Sequence, residues 1–255
     1  MLPVIRRTAL SFAALAALSL SSLTANAVSV ELDVLIGGEQ AGVYTEAGLG
    51  CQDIEGTPTA SCAGTNAVVG GGEGLRLDSW SLFLDSDPVV SASVAVTNLS
   101  AVTQQYTLLF TLPVSPAIPG GTVIGGSIQG GATDNNGNGV TLAAPTSSSF
   151  YTALIDALAV QTLYGAPQSF SAGSFASLNV PNLAFGTPIP SQAGPPALTS
   201  IAIRLDFLLS AGDSASFTSN FVVQPAVVPV PAAAWLLGSA LGLFGVIRRK
   251  APQAA

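Results

Sequence analysis

Ser200-Ile-Ala-Ile-Arg-Leu-Asp-Phe-Leu-Leu209 decides the fold. Ile201, Ile203, Leu205, Phe207 and Leu209 fall at every second position, and Arg204 and Asp206 fall between them. In a strand, successive side chains point to opposite faces, so this spacing gives one apolar face and one polar face. The same period runs outward along the chain. Val28, Val30, Leu32, Val34 and Ile36 alternate with Ser29, Glu31 and Asp33. Val90, Ala92, Val94 and Val96 alternate with Ser91, Ser93 and Thr97, and Tyr106, Leu108, Phe110 and Leu112 with Thr107 and Thr111. Ala215, Phe217, Phe221 and Val223 form a last strand after a Gly212-Asp213 turn. Leu75-Leu77 and Trp80-Leu82-Leu84 alternate in opposite phase, which predicts a bulge near Asp78-Ser79.

Half-polar strands separated by Gly and Pro suit antiparallel sheets with one buried face each. The expected fold is all-β, an antiparallel β-sandwich of jelly-roll or Ig-like type over residues 28–227. Phe150–Tyr164 has apolar residues at Tyr151, Leu154, Ile155 and Leu158, a helical spacing, but its flanks bound a strand equally well, and a strand is expected. Residues 113–148 and 165–197, rich in Gly, Pro, Ser and Asn, are expected to be long loops.

Both chain ends stand apart from this pattern. Arg6-Arg7, the apolar run Ala9–Leu20 and the Ala25-Asn26-Ala27 cleavage site have the layout of a secretory signal peptide over residues 1–27, cut between Ala27 and Val28. At the other end, residues 228–255 hold a proline pair, an uncharged segment 232–247 and a basic cluster. Sixteen helical residues span roughly 24 Å, short of the roughly 30 Å hydrocarbon core. Pro231 suits the first helical position, Trp235 suits the interface, and Arg248, Arg249 and Lys250 can snorkel to the far side. A single transmembrane helix at 232–247 is expected, with its basic end in the cytoplasm and residues 28–227 outside.

The tail Val228-Pro-Val-Pro-Ala-Ala-Ala-Trp-Leu236, followed by Gly238-Ser-Ala-Leu241 and Arg248-Arg-Lys250, resembles the PEP-CTERM family of bacterial sorting signals, in its Val-Pro-x-Pro-Ala variant. Val228, Pro229, Pro231, Ala232, Trp235, Arg248, Arg249 and Lys250 carry the match. Val230 stands where the name-giving motif has Glu. The resemblance covers residues 228–250 alone. It implies recognition by an exosortase after Sec export, a transient stay in the inner membrane, removal of the tail, and delivery to the surface or extracellular matrix of a Gram-negative bacterium. A non-catalytic structural or adhesive part of extracellular polymeric material is the expected role. The alternative is a carbohydrate-binding surface module that stacks extracellular polysaccharide on Trp80 or Tyr residues.

Charge narrows the partners. Between residues 28 and 227 there are two cations, Arg76 and Arg204, against fourteen carboxylates, a net charge of −12. Nucleic acid is excluded as a partner, because a binding groove needs cationic side chains to displace counterions. The chain has no His, so a Ser-His-Asp triad, a Cys-His dyad and a His-ligated metal are ruled out within it. Paired carboxylates remain as the residue set of a glycosidase. The closest pair, Asp85 and Asp87, sits in Leu-Asp-Ser-Asp-Pro, which has the composition of a solvated turn. No catalytic residue is expected.

Asp134-Asn-Asn-Gly-Asn-Gly139 matches the first half of an EF-hand calcium loop, with Asp134, Asn136 and Asn138 as candidate ligands. Pro145 occupies the position where the loop needs its acid. A weak calcium site and a plain Asn-Gly turn both fit, and no cofactor is expected. Asn98-Leu99-Ser100 fits a glycosylation sequon but reads as the link between two strands.

Cys51 and Cys62 are the only cysteines. An even, closely spaced pair in an exported chain predicts a disulfide, and closing so short a loop contributes about 3 kcal/mol on the chain-entropy model. Peptide mapping of protein isolated from the cell exterior, without reductant, is expected to recover the two peptides linked. Two free thiols would contradict this.

Overall fold

A computed structural model describes residues 29–55 and 57–226. In chain order the strands are β1 (Glu31–Ile36), β2 (Glu39–Thr45), β3 (Cys51–Asp53), β4 (Thr59–Val69), β5 (Leu75–Asp85), β6 (Val89–Asn98), β7 (Gln104–Pro113) and β8 (Thr122–Thr133). They continue with β9 (Val140–Ala143), β10 (Ser149–Ile155), β11 (Leu158–Gly165), β12 (Ser169–Ala172), β13 (Ser177–Phe185), β14 (Gln192–Gly194), β15 (Ser200–Leu209) and β16 (Ser214–Pro225). A four-residue helix, α1 (Glu46–Leu49), follows β2. No helix among the described residues is long and apolar enough to cross a membrane. The helix expected at 232–247, the signal peptide and the sorting residues from Val228 to Lys250 lie outside the described residues.

The strands form two antiparallel sheets. One runs β11-β10-β15-β7-β1-β2, with β9 also on β15 and β12 on β9. The other runs β13-β8-β16-β6-β5-β4-β3, with β14 on β8. The chain crosses between sheets from β2 to β3, β6 to β7, β7 to β8, β8 to β9, β12 to β13, β14 to β15 and β15 to β16. The all-β, two-sheet fold is thus the observed one.

The alternation read in the sequence is the burial pattern. Ile201, Ile203, Leu205, Phe207 and Leu209 on β15 are fully buried, as are Tyr106, Leu108, Phe110 and Leu112 on β7. They meet Val90, Ala92, Val94 and Val96 of β6 and Phe217, Phe221 and Val223 of β16 in one continuous core. Phe207 and Phe217 bridge the sheets with ring centroids 4.9 Å apart. Tyr151 of β10 crosses over too: its hydroxyl donates to the Asn220 carbonyl of β16 at 2.8 Å. The expected bulge is present, since pairing of β5 with β6 shifts register between Leu77 and Ser79.

Two expectations are corrected. Residues 113–148 and 165–197 are not long loops: they contain β8, β9, β12, β13 and β14, and β8 is a central strand bonded to both β13 and β16. Its glycines mimic loop composition, yet Gly126 is required by packing. A Cβ there would lie 2.7 Å from the Tyr151 hydroxyl and 2.6 Å from the Asn220 carbonyl, so only Gly lets the tyrosine pass over. Phe150–Tyr164 is extended, as expected, but is two strands rather than one. β10 turns into β11 through Asp156 and Ala157, both at positive φ (50° and 64°). That is the primed turn whose twist matches a hairpin.

Asn98 closes one pole of the sandwich and is fully buried. Its Nδ2 lies within 2.9–3.0 Å of the carbonyls of Val102, Leu209 and Ser210. Its Oδ1 accepts from the Tyr106 hydroxyl at 2.6 Å and the Ser100 N–H at 2.8 Å. One side chain therefore ties the end of β6 in one sheet to β7 and β15 in the other, and Asn98 does link two strands. Its burial leaves no room for a glycan on the folded chain. Asn98→Ala orphans several buried polar groups, each costing about 1–3 kcal/mol. The expected loss is roughly 3 kcal/mol or more, a drop in Tm of about 10 °C. Thermal melts beside wild type check this, and a shift under 2 °C would contradict it.

Candidate functional site

Residues 30 and 226 leave the sandwich at the same pole. Glu31 pairs with Thr111 at the end of β7, and Pro225 with Thr122 at the start of β8, so both lie beside the connection 114–121. The opposite pole carries Asn98, the end of β8, the start of β16 and the Asp134–Gly139 turn.

At that far pole two of the candidate calcium residues, Asp134 and Asn136, turn their side-chain oxygens to backbone donors. Asp134 is 3% exposed. Its Oδ1 accepts from the N–H groups of Asn136 (3.1 Å) and Gly137 (2.9 Å), and its Oδ2 from those of Gly139 (2.9 Å) and Phe175 (2.6 Å). Asn136 is occupied as well: its Nδ2 donates to the Ala211 carbonyl at 2.6 Å and its Oδ1 accepts from Asn138 N–H at 3.0 Å. Asn138 is exposed. Among the described residues, no group of three or more His, Cys, Asp or Glu stands together as metal ligands. The carboxylate instead knits the turn to the approach to β13.

Asp213, fully buried, lies beside Asp134. It accepts from Ser210 Oγ and, at 3.2 Å, from Asn135 N–H. The two carboxyls are pushed apart. Burial would raise Asp134, but the N–H groups of Phe175, Gly139, Asn136 and Gly137 outweigh it and hold the group at about 2. Burial raises Asp213, against its two hydrogen bonds, and the Asp134 charge adds to the rise. Split carboxyls are the mark of an acid–base pair. Here both are closed off from solvent, Asp134 by backbone donors and Asp213 by the Ser210 hydroxyl and the Asn135 N–H, so they fasten the pole.

A matching fastener stands at the other pole. Asp156 accepts from the N–H groups of Leu198, Thr199 and Ser200 and from Thr199 Oγ1 at 2.7–3.2 Å. Burial opposes these bonds and is outweighed, so this carboxyl is also held at about 2. Asp85 and Asp87 occupy the turn between β5 and β6, where Asp85 Oδ1 accepts the Asp87 N–H at 3.0 Å.

Trp80, proposed from the sequence as a stacking platform, is corrected. It is 7% exposed and points inward, with Nε1 donating to the Leu49 carbonyl at 2.9 Å. Tyr106 and Tyr151 are fully buried. Strand alternation placed Trp80 in phase with Leu82 and Leu84, and that phase is the inward one. The structure joins Cys51 to Cys62, directly paired across β3 and β4.

Two features of the far pole have no counterpart in the sequence reading. Phe175 is 73% exposed, in the left-handed region at φ 54°, a conformation rare for a bulky residue. Asp134 fixes its N–H, and its ring lies over Gly137, where a Cβ would come within 2.5 Å. Gly137 also has φ 84°, so Gly is needed there on both counts. Next to it, the outer face of the β13-β8-β16-β6 sheet carries a trench of about 400 Å³. A row of small side chains, Gly131, Ser216 and Ala95, forms its floor.

No protein-family model matches the chain, and no curated protein matches it.

The fastener reading sets an order of effects. Asp134→Asn is expected to lower Tm at pH 7, because the amide puts a donor against backbone donors. Asp213→Asn is expected to cost less, since it removes the like charge and the Ser210 hydroxyl can reverse. A depressed carboxyl stabilises above its unfolded value near 3.8 and loses that contribution as pH falls through about 2. The gap between wild type and Asp134→Asn should therefore close between pH 4 and pH 2. At pH 7, 1 mM calcium and EDTA should give the same Tm within about 1 °C, the shift a millimolar site allows. Melts across this series measure all three, and a calcium shift of several degrees that Asp134→Asn abolishes would establish a metal site instead.

Proposed function

We propose that this chain is an exported protein, sorted by an exosortase to the cell surface or extracellular matrix of a Gram-negative bacterium, where it serves as a non-catalytic structural or adhesive component. The Val228–Lys250 tail carries this reading, and the 1–27 leader agrees with it. The described fold supports it in three ways. The two ends of the described sandwich, beside Glu31 and Pro225, lie at one pole, so a chain held by its tail would display the opposite pole outward. The net charge of −12 over residues 28–227 favours solubility after release. The buried carboxylates already hold partners: backbone N–H groups at Asp134, Ser210 and Asn135 at Asp213, and Thr107 and Arg204 at Asp206. The strand order, with β15 between β7 and β10 and β16 between β6 and β8, suits a sandwich of jelly-roll type.

The tail is proposed to be a processing signal rather than a lasting anchor. Mass spectrometry of protein released from cells with a working exosortase is expected to find a C-terminus close to Pro229–Pro231. Intact protein ending at Ala255 and confined to the inner membrane would overturn the proposal.

A further inference from the structure

We propose that the far pole and the adjoining trench form a binding site for an uncharged polysaccharide; this rests on the surface-protein reading above and names its partner. The chemistry is that of a surface built for hydroxyl-rich, neutral chains. Across the strands, Gly131, Ser216 and Ala95 lie in register as a low row. Thr133 and Ser214 rise on one side, Gln129 and Thr218 on the other. The exposed Asn179 amide stands at one end, paired with Gly131. A second hollow of about 310 Å³ continues the trench and shares Gly130, Asn179 and Ser216 with it.

Charge selects the ligand. Arg76 and Asp78 stand at the far end of the trench, and they bond to one another and to Thr97. The charged side chain of the lining, Asp78, is already bonded to Arg76 and Thr97, and the protein's acidity repels polyanions. Hydroxyls and amides offer donors and acceptors to sugar hydroxyls, while the small floor admits a pyranose edge. The dimensions agree, since ligand-sized hollows begin near 300 Å³.

Phe175 supplies the missing apolar contact. Only Ala176 separates it from Ser177, whose Oγ bonds Thr133 Oγ1 at 2.9 Å on the trench wall. The backbone of Phe175 thus lies within about 7 Å of the backbone of Ser177, at the Thr133 end of the trench. An aromatic side chain that is 73% exposed and held at φ 54° by a buried carboxylate is displayed rather than packed. Its free face suits the apolar face of a sugar ring, as exposed aromatics do for rings in general. Residues held in sparsely populated backbone conformations cluster at ligand contacts.

Affinity electrophoresis tests this with the full chain in a zwitterionic detergent, which keeps sugar headgroups out of the assay. The probes are dextran, a mannan, a soluble β-glucan, a xylan and, as a polyanion, alginate. At least one neutral polymer is expected to retard the protein, and alginate is not. Phe175→Ala should weaken the interaction by about tenfold. Ser216→Lys, which fills the trench from an outward position, should abolish it. Leu158→Lys, equally charged but at the other pole, should leave it unchanged, and all three variants should melt as wild type does. Retardation by alginate alone, by no polymer, or equally for wild type, Phe175→Ala and Ser216→Lys would overturn the proposal. So would concentration-dependent self-association lost in Phe175→Ala, which would assign the face to a second copy. The sorting reading stands or falls separately, since neither variant touches the tail and its failure would show only as an unprocessed C-terminus.

Discussion

The contact on which the rest depends is the face-to-face burial of two sheets, centred on β15 and β16. These neighbours in sequence sit in the middle of different sheets, and Phe207 stacks on Phe217 across the gap. Each fully buried Leu, Ile or Phe is worth about 1.5–3 kcal/mol relative to exposure, so an uninterrupted inward face on several strands dominates the energetics. That constraint sets register everywhere: a slip of one residue would turn every inward side chain to solvent. It also explains why Gly126 lies in a central strand. The tyrosine that crosses between the sheets leaves no space for a side chain there.

A sandwich closed by apolar contacts still has open poles, where strands end and backbone groups lose their ladder partners. The chain solves this with a few polar side chains, Asn98 and Asp134 buried and Asp156 half-buried. Asn98 gathers carbonyls and a tyrosine from both sheets, while Asp134 and Asp156 gather N–H groups, one at each pole. A buried carboxylate is tolerated when it accepts several hydrogen bonds, and those bonds are what depress its pKa. Carboxylates that look like ligands or catalysts in sequence are here used as fasteners.

The outward faces carry the functional interest. The outer face of the β13-β8-β16-β6 sheet is lined with neutral Ser, Thr, Asn and Gln, in a protein of strongly negative charge. The far pole combines this neutral surface with a single displayed aromatic ring. The ends of the described sandwich lie at the other pole. A chain sorted and held as its tail suggests would therefore present that combination away from the membrane.

Much of the fold was legible in the residues themselves. Period-two spacing identified β1, β6, β7, β15 and β16 and the face each buries, and the phase change at Asp78 revealed the bulge, because burial on a pleated strand depends only on position parity. The tail and leader patterns are local in sequence too, and they lie outside the described residues. What tertiary structure alone decided was everything that depends on a distant partner. β8 reads as loop because its glycines are explained only by distant partners, Tyr151 and Asn220 at Gly126, Pro190 at Gly125, Ser216 at Gly130 and Leu178 at Gly131, and the β10–β11 turn has no Asn-Gly to announce it. Trp80 looked available for stacking until α1 covered it. Asp134 has the local spacing of a calcium ligand, but its carboxylate is consumed by Phe175, forty-one residues away. Phe175 gave no sequence signal, for its exposure follows from that same long-range bond, and long-range bonds are not written in local spacing.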